Sequence, residues 1–474
     1  MRLSIRILGY LLIISSLFRA IPIITALIYG ERIILFILSV IISLILGLIL
    51  ILKFPKIEKE APMSLNHGLI LTASSFIIIP LIGCISFLPS FHYNLLNAYF
   101  EAISGFTTTG LTLYSSLAEL PKSLLIWRAE TQWLGGIGII MVFLFIFSGI
   151  KNHKPDFASI NEKAESASAL YQSQGFSTQI HGGIHKTIKT ILTIYFGYTM
   201  LGIAFLMLTG MDIWEATGMS FTALSTGGFS MNDQFYSGAG TLFILEILMI
   251  LGSISFIVHG LLIERQWKRF VSAFEKNIFL SFILLAGIIS LIILFEPKTI
   301  FFELISAFTT TGYTLVPIKL FPQLVIMMIM IGMIIGGSIA STSGGIKVFR
   351  IYTLIRAIPW AIKKMSSPSE AITPLKIDEQ IIEDEKIINI GVFVFCYAAI
   401  LFIGTILFML FGYNFFNSAF QITSALGTVG LQTMPLGALN PILKIVLMVA
   451  MLLGRLEIFP LLVAFSAMKK KLFS

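Results

Sequence analysis

The sequence predicts an all-α polytopic membrane protein in which four parallel repeats of helix, short helix and helix form a pseudo-fourfold ring around one axis, preceded by two extra transmembrane helices. Three observations predict it. Hydrophobic residues make up 57% of the 474 and charged residues only 12%, far more apolar surface than a soluble core of that length needs. A stretch rich in threonine and glycine, Phe106-Thr107-Thr108-Thr109-Gly110-Leu111-Thr112, returns as Ser225-Thr226-Gly227-Gly228-Phe229, Thr309-Thr310-Thr311-Gly312-Tyr313 and Gly427-Thr428-Val429-Gly430-Leu431. Its glycines at 110, 228, 312 and 430 stand 118, 84 and 118 residues apart; first-to-third and second-to-fourth distances are both 202, the mark of a duplicated pair. Lastly, Lys and Arg crowd onto one side of the predicted spans.

The leading pair occupies segments near 4–29 and 33–52, each long enough for the roughly 20 residues that cross a hydrocarbon core. A cleaved signal peptide over Met1 to Ala20 is the alternative. Arg19, standing where a small-residue cleavage motif should lie, and the apolar sequence resuming at Ile21 argue against it. After the polar linker Lys53 to Glu60, spans near 67–89 and 122–149 enclose a short amphipathic piece and the first Thr-Gly copy. The pattern recurs with spans near 187–210 and 241–264, then 277–296 and 320–350, then 387–412 and 440–468. The division is therefore 1–60 for the leading pair and 61–155, 156–270, 271–365 and 366–474 for the repeats. Each repeat contributes an even number of crossings, so all four share one orientation.

With the N-terminus inside, 24 of the 32 basic residues are cytoplasmic, among them Lys151, Lys154, Arg265, Lys268, Arg269, Lys363, Lys364 and Lys469 to Lys471. The outer side receives only Arg32, Lys122, Arg128, Lys298, Lys319 and Lys444, and Arg19 and Arg455 remain inside spans. The net charge of +8 is thus a topology signal; no basic stripe for nucleic acid is formed. The longest polar stretches, about 150–186 and 363–386, are cytoplasmic and read as solvated linkers or as a docking surface. Cys84 and Cys396 lie in apolar runs as small hydrophobes, and no disulfide framework is implied.

Each Thr-Gly copy follows a short candidate helix opened by a capping residue, Asn97, Asp212, Thr299 or Asn414, with Asp212 and Glu215 shaped as a capping box. Phe100-Glu101, Trp214-Glu215, Phe302-Glu303 and Phe416-Asn417 end 9, 13, 9 and 13 residues ahead of their glycines. A helix too short to span must turn back inside the membrane, where irregular backbone is tolerated only if buried in protein or lining a watery cavity. Glycine lets a Thr-Thr-Gly run point successive carbonyls one way, and four such runs make oxygen rings that can replace the hydration shell of a monovalent cation. Close helix packing through small residues is the plain alternative for any single copy. Four copies at paired intervals favour a cation pore.

Besides these copies, the chain carries Trp127-Arg128, Gln132-Trp133-Leu134-Gly135-Gly136-Ile137-Gly138, Gly336-Gly337-Ser338 through Ser343-Gly344-Gly345-Ile346-Lys347, and Gly454-Arg455-Leu456-Glu457-Ile458-Phe459. On these residues it resembles the Trk-type potassium uptake proteins of the Trk, Ktr and HKT superfamily over essentially its whole length. The resemblance implies potassium coordination by Thr108, Thr109, Thr226, Gly227, Thr310, Thr311, Thr428 and Val429, with Gly110, Gly228, Gly312 and Gly430 as filter glycines. Gly427 and Val429 depart from the threonine-rich pattern. Sodium-selective relatives carry serine where this chain has Gly110, and the leading pair points to the Trk branch. Also implied are a bacterial inner (cytoplasmic) membrane location with both termini cytoplasmic, a homodimer, and a cytosolic ring of nucleotide-binding regulatory subunits. Potassium is the substrate, no cofactor belongs to this chain, and no enzymatic activity is expected.

The run Gly336 to Gly345 is poorly helical, so it is either a small-residue packing face or, as the resemblance implies, a flexible intramembrane loop that obstructs the pore. That gate would comprise Gly336, Gly337, Ser338, Ser343, Gly344, Gly345 and Lys347, with Arg455 as an electrostatic barrier beneath the filter. Arg455 tied to backbone carbonyls is the competing reading, and Glu457, two positions on, is no automatic ion-pair partner. His181 and His185 have the spacing of a helical metal pair, but a metallohydrolase lacks its glutamate here. An alternating-access carrier with inverted repeats conflicts with parallel units. Channel-like flow and proton- or sodium-coupled symport both stay open.

Overall fold

The computed structural model describes residues 2–55, 65–151, 184–293, 296–368, 373–377 and 380–472. The chain is an all-α polytopic membrane protein. Among the described residues, six helices are long and apolar enough to cross a membrane, and the bent pair formed by Ala239–Ser253 and Phe256–Ile263 makes a seventh when taken as one span. Side chains such as Leu17, Leu208, Leu284 and Phe395 stay exposed on these helices, as expected where lipid is the solvent.

The leading span runs through α1 (Arg2–Phe18) and α2 (Ala20–Tyr29) and returns as α3 (Ile34–Lys53). α1 and α3 touch through glycines: a side chain on Gly9 would lie 2.8 Å from the Gly47 carbonyl, and one on Gly47 the same distance from that of Gly9. Arg19 is fully buried, donates to Ser15 O and Ser43 Oγ, and lies 5.0 Å over the Trp127 ring. The hairpin is also tied to the first repeat by Glu31, whose carboxylate accepts from the Lys122 and Ser123 N–H groups that open the next long helix.

The first repeat contains α4 (Leu65–Gly83), the short helix α5 (Leu95–Phe106) and α6 (Lys122–Lys151). The second contains α7 (Ile184–Leu208), α8 (Ile213–Leu224), α9 (Ala239–Ser253) and α10 (Phe256–Ile263), followed by the short α11 (Trp267–Ser272). The third contains α12 (Phe274–Ile293), α13 (Pro297–Phe308), α14 (Gln323–Ile335) and α15 (Val348–Met365). The fourth contains α16 (Asp384–Leu410), α17 (Phe415–Leu426), α18 (Pro441–Arg455) and α19 (Phe459–Leu472).

The short helices α5, α8, α13 and α17 are each 12 residues long and end four residues before their glycine. Their common register corrects two of the expected caps. Asn94, not Asn97, caps α5 by accepting the Asn97 N–H, as Asn414 accepts that of Asn417. α13 begins at Pro297 rather than at Thr299; its N-cap is Glu296 in a left-handed conformation without a side-chain cap bond. Asp212 accepts from the Glu215 N–H at 2.7 Å, but Glu215 bonds Asn232, so the capping box is half formed.

Among the second spans, only α6 is a single unbroken helix. The expected continuous span at 241–264 bends by 99° where Ile254 and Ser255 go extended, and the one at 440–468 stops at Arg455 and restarts at Phe459 past left-handed Glu457 and Ile458. α14 and α15 are separated by residues 336–347, as the glycine run predicts. The polar stretch after α15 is more than linker. Strands β1 (Leu375–Ile377) and β2 (Gln380–Ile382) pair antiparallel with Leu375 opposite Ile382 and pack apolar side chains on Ala357. Residues 152–183, including most of the other polar stretch, Lys154 and His181, lie outside the described residues.

Candidate functional site

The four Thr-Gly copies have one backbone conformation. Thr108, Thr226, Thr310 and Thr428 have φ of 51°, 51°, 56° and 50°, and Gly110, Gly228, Gly312 and Gly430 have φ of 83°, 77°, 85° and 96°. A left-handed β-branched residue is strained, and its fourfold repetition at one position marks an imposed geometry. Alternating handedness along the strand turns successive carbonyls the same way. A side chain at Gly110 would run into the carbonyl oxygen of Gly227, one at Gly228 into that of Thr311, one at Gly312 into that of Val429, and one at Gly430 into that of Thr109. The strands therefore follow one another in chain order and the fourth closes on the first.

All twelve residues of this ring are buried or half-buried. Among the described residues, no donor reaches the carbonyl oxygens of the four left-handed threonines, the residues after them or the glycines, except that Gly227 O accepts from Gln132 Nε2. Unpaired carbonyls stacked on an axis are the chemistry that can stand in for the water shell of a monovalent cation.

Glutamates of the short helices fix the chain beyond the ring. Glu101 accepts from Thr112 Oγ1 and Leu113 N and pairs with Arg128 Nε at 2.9 Å; Glu303 accepts from Thr314 Oγ1 at 2.9 Å and Leu315 N at 2.7 Å. The 202-residue period relates these two braces, but Met330 replaces Arg128 in the third repeat. The Phe-Glu repetition signalled both residues, though not their role. Outside the ring, segments from all four repeats, including Tyr114, Phe235, Leu315 and Thr433, line a cavity of about 890 Å³. At its rim Asp233 accepts from Ser116 Oγ and from the Leu117 and Ala118 N–H groups. Its slight burial raises the carboxyl pKa, but these three bonds outweigh that and hold it below the usual range.

Beneath the ring lies the segment 336–347, buried throughout. Gly344 N donates to Thr310 Oγ1 at 2.7 Å, Thr342 Oγ1 lies 3.3 Å from Thr226 Oγ1, and a side chain on Gly344 would meet Thr428 Oγ1. The segment thus touches the threonine layer in three of the four repeats. Gly336 and Gly345 are left-handed and pass so closely that a side chain on Gly345 would lie 2.9 Å from Gly336 N.

The break in the second repeat serves this loop. Ser338 N and Thr342 N donate to Ser253 O and Gly252 O, and Phe256 N donates to Ala340 O. Backbone freed by the bend is thereby paired, as membrane depth demands. Gly337 O accepts from Val348 N, Ser343 Oγ bonds Ser341 Oγ, Lys347 Nζ donates to Ser343 O, and Glu275 accepts from Ile339 N.

Arg455 is tied to backbone carbonyls: Nη1 donates to Thr342 O in the loop, and Nη2 to Gly135 O at 3.0 Å and Gly136 O at 3.3 Å on α6. The competing reading therefore describes its bonds, and those bonds join loop to helix beneath the ring. Glu457 pairs instead with Arg350, at 2.5 Å. A cavity of about 20 Å³, room for roughly one water, lies among Ser341, Ser343, Lys347, Arg455 and Glu457. Sequence reasoning missed Gln132, Glu275, Thr342 and Arg350 as site residues; Gln132 and Thr342 lie inside stretches the sequence singled out, but nothing there marked their roles.

A family model described as TrkH, cation transport protein, matches residues 35–301 and 298–474. An uncharacterized cation transporter of Methanocaldococcus jannaschii is 29% identical over 473 residues, covering 98% of this chain and 95% of that protein. The Trk system potassium uptake protein TrkH of Escherichia coli K12 is 27% identical over 490 residues, covering 97% of each. The crystal structure of the potassium transporter TrkH from Vibrio parahaemolyticus shares the fold with a TM-score of 0.84 at 24% identity, over 97% of each chain.

Proposed function

The chain belongs to the TrkH family of cation transport proteins, and from that membership we propose that it takes up potassium across the cytoplasmic membrane through the carbonyl ring at Thr108 to Gly110, Thr226 to Gly228, Thr310 to Gly312 and Thr428 to Gly430. The observation that carries this reading is the closed order of the four strands, each glycine set against the carbonyl of the next repeat. Rings of such carbonyls coordinate a dehydrated cation, and hydroxyls of the four threonines add a layer below. Loop 336–347 and Arg455 serve as the gate: the loop occupies the inner face of the ring, and the guanidinium holds it to α6.

The flow is channel-like whenever the loop withdraws, since parallel repeats provide no inverted pair for alternating access. The relatives named for a Trk system support assembly with further Trk components. The finer form of that assembly is a homodimer carrying cytosolic nucleotide-binding subunits, with both termini cytoplasmic. Growth rescue of a potassium-uptake-deficient bacterium on limiting potassium, with rubidium and sodium fluxes measured in liposomes, tests the reading. Rescue together with rubidium flux exceeding sodium flux is expected. Wild-type ion preference at wild-type flux in Gly312→Ser, where the new side chain meets the Val429 carbonyl, would remove the filter assignment.

A further inference from the structure

The ring is not symmetric in how it is held. Gln132 on α6 is fully buried and reaches across from the first repeat to the second: Nε2 donates to Gly227 O at 2.5 Å, and Oε1 accepts from Phe229 N at 3.0 Å. Both halves of the amide are used on the two residues that flank Gly228. The same amide nitrogen would lie 3.6 Å from a side chain on Gly110, so the group sits in the seam between the first and second strands. Gly227 has no room for a side chain because the Gln132 Cβ would be 2.8 Å away.

The position is 22 residues past Gly110; the same offset from Gly228, Gly312 and Gly430 gives Ile250, Ile334 and Leu452. Those residues have no hydrogen-bonding side chain. Among the described residues, Gly227 O is also the one carbonyl at the three central levels of the ring that accepts a hydrogen bond.

We propose that Gln132 is a specificity-determining positioning residue, clamping the second strand so that the Gly227 carbonyl keeps its distance from the axis when an ion smaller than potassium would draw it in. The inference rests on the carbonyl-ring reading and deepens it. Without the clamp, Phe229 N is a buried donor with no partner and Gly227 O has no donor holding it back, so the strand is free to close on sodium. The amide acts through the backbone and does not itself contact the ion.

The experiment measures rubidium and sodium flux ratios in liposomes for wild type, Gln132→Leu, Gln132→Glu and Gly312→Ser, each normalised to monodisperse protein. Gln132→Leu makes the first repeat like the others and should lower the rubidium-to-sodium ratio about tenfold, the scale of one lost buried hydrogen bond. Gln132→Glu keeps an acceptor for Phe229 N and loses the donor to Gly227 O, so a fall in its ratio reports the clamp itself. If Gln132→Leu fails to fold, the nearly isosteric Gln132→Glu decides. An unchanged ratio in the Gln132 variants beside a lowered one in Gly312→Ser overturns the clamp and leaves the ring standing. Unchanged ratios in all three overturn the ring reading too.

Discussion

At the scale of single residues, two charges with the same job differ in their surroundings. Glu101 and Glu303 each hold the turn beyond their strand, but only Glu101 faces a guanidinium, and Arg128 is itself buried against the Phe229 ring at 4.1 Å. Taking the charge from Glu101 leaves Arg128 without its counterion, a loss on the order of 3–5 kcal/mol. An amide at Glu303 still accepts from Leu315 N, so Glu303→Gln should cost about 1 kcal/mol. Thermal unfolding in detergent should therefore rank Glu101→Gln far below Glu303→Gln; equal melting temperatures would contradict the account. Arg455 behaves differently again. Its donors go to Thr342 O in the loop and to Gly135 O and Gly136 O on α6, so Arg455→Ala unties the loop and removes a cation from the path. Flux should rise while the rubidium-to-sodium ratio stays near wild type, because no filter strand has been touched; a collapsed ratio would mean that Arg455 supports the ring as well.

At the scale of elements, the sequence showed where helices lie better than where they break. The short helices were legible because their glycines recur, but the caps of the first and third were placed three residues late. Aligning on the glycine instead of on the nearest polar residue puts them at Asn94, Asp212, Glu296 and Asn414. The loop at 336–347 announced itself by composition. The breaks at Ile254-Ser255 and at Leu456 to Ile458 did not, because neither contains the Gly or Pro that punctuates a helix and the bends follow from partners remote in sequence: loop backbone at Ser253 and Phe256, and Arg350 at Glu457. The carbonyl ring was legible as a motif, and its brace from Gln132 was not, since a glutamine next to Arg128, Glu130 and Thr131 on one helix looks like any packed polar residue. The corrected caps carry a prediction. Asp212→Ala and Asn414→Ala each remove an acceptor from a short helix's first turn and should cost about 1 kcal/mol. Asn97→Ala, which keeps its backbone N–H on Asn94 but loses its Oδ1 contact with Lys444, should cost less than Asn94→Ala. Denaturant or thermal midpoints of the four variants test the register, and the reverse order for the Asn94 and Asn97 pair would restore the later cap.

At the scale of the whole molecule, the two sides of the ring differ among the described residues: a cavity of about 890 Å³ opens beyond the glycines, and the one between the loop, Arg455 and Glu457 holds about 20 Å³. On the orientation proposed above, with both termini cytoplasmic, the wide side faces outside and the loop and the Arg455 tie stand between the ring and the cytoplasm. Topology and gating can then be read in one labelling experiment on a background with Cys84 and Cys396 replaced, both being free thiols. Ser115→Cys and Ser237→Cys, at exposed positions beside the wide cavity, should react with an impermeant maleimide from outside only, and Ser366→Cys, exposed just past α15, from inside only. Labelling of both sets from one face would sink the parallel arrangement, because an even number of crossings, instead of the three it places there, would then separate Ser237 from Ser366. Ser341 lines the small cavity and is almost wholly buried, so Ser341→Cys should resist a small thiosulfonate reagent from either side. Combining it with Arg455→Ala should open it to the cytoplasmic reagent alone, since the loop loses its tie to α6 while the ring above remains closed to anything larger than a bare ion. Reaction from outside in the double variant would place the obstruction elsewhere and detach the loop from gating.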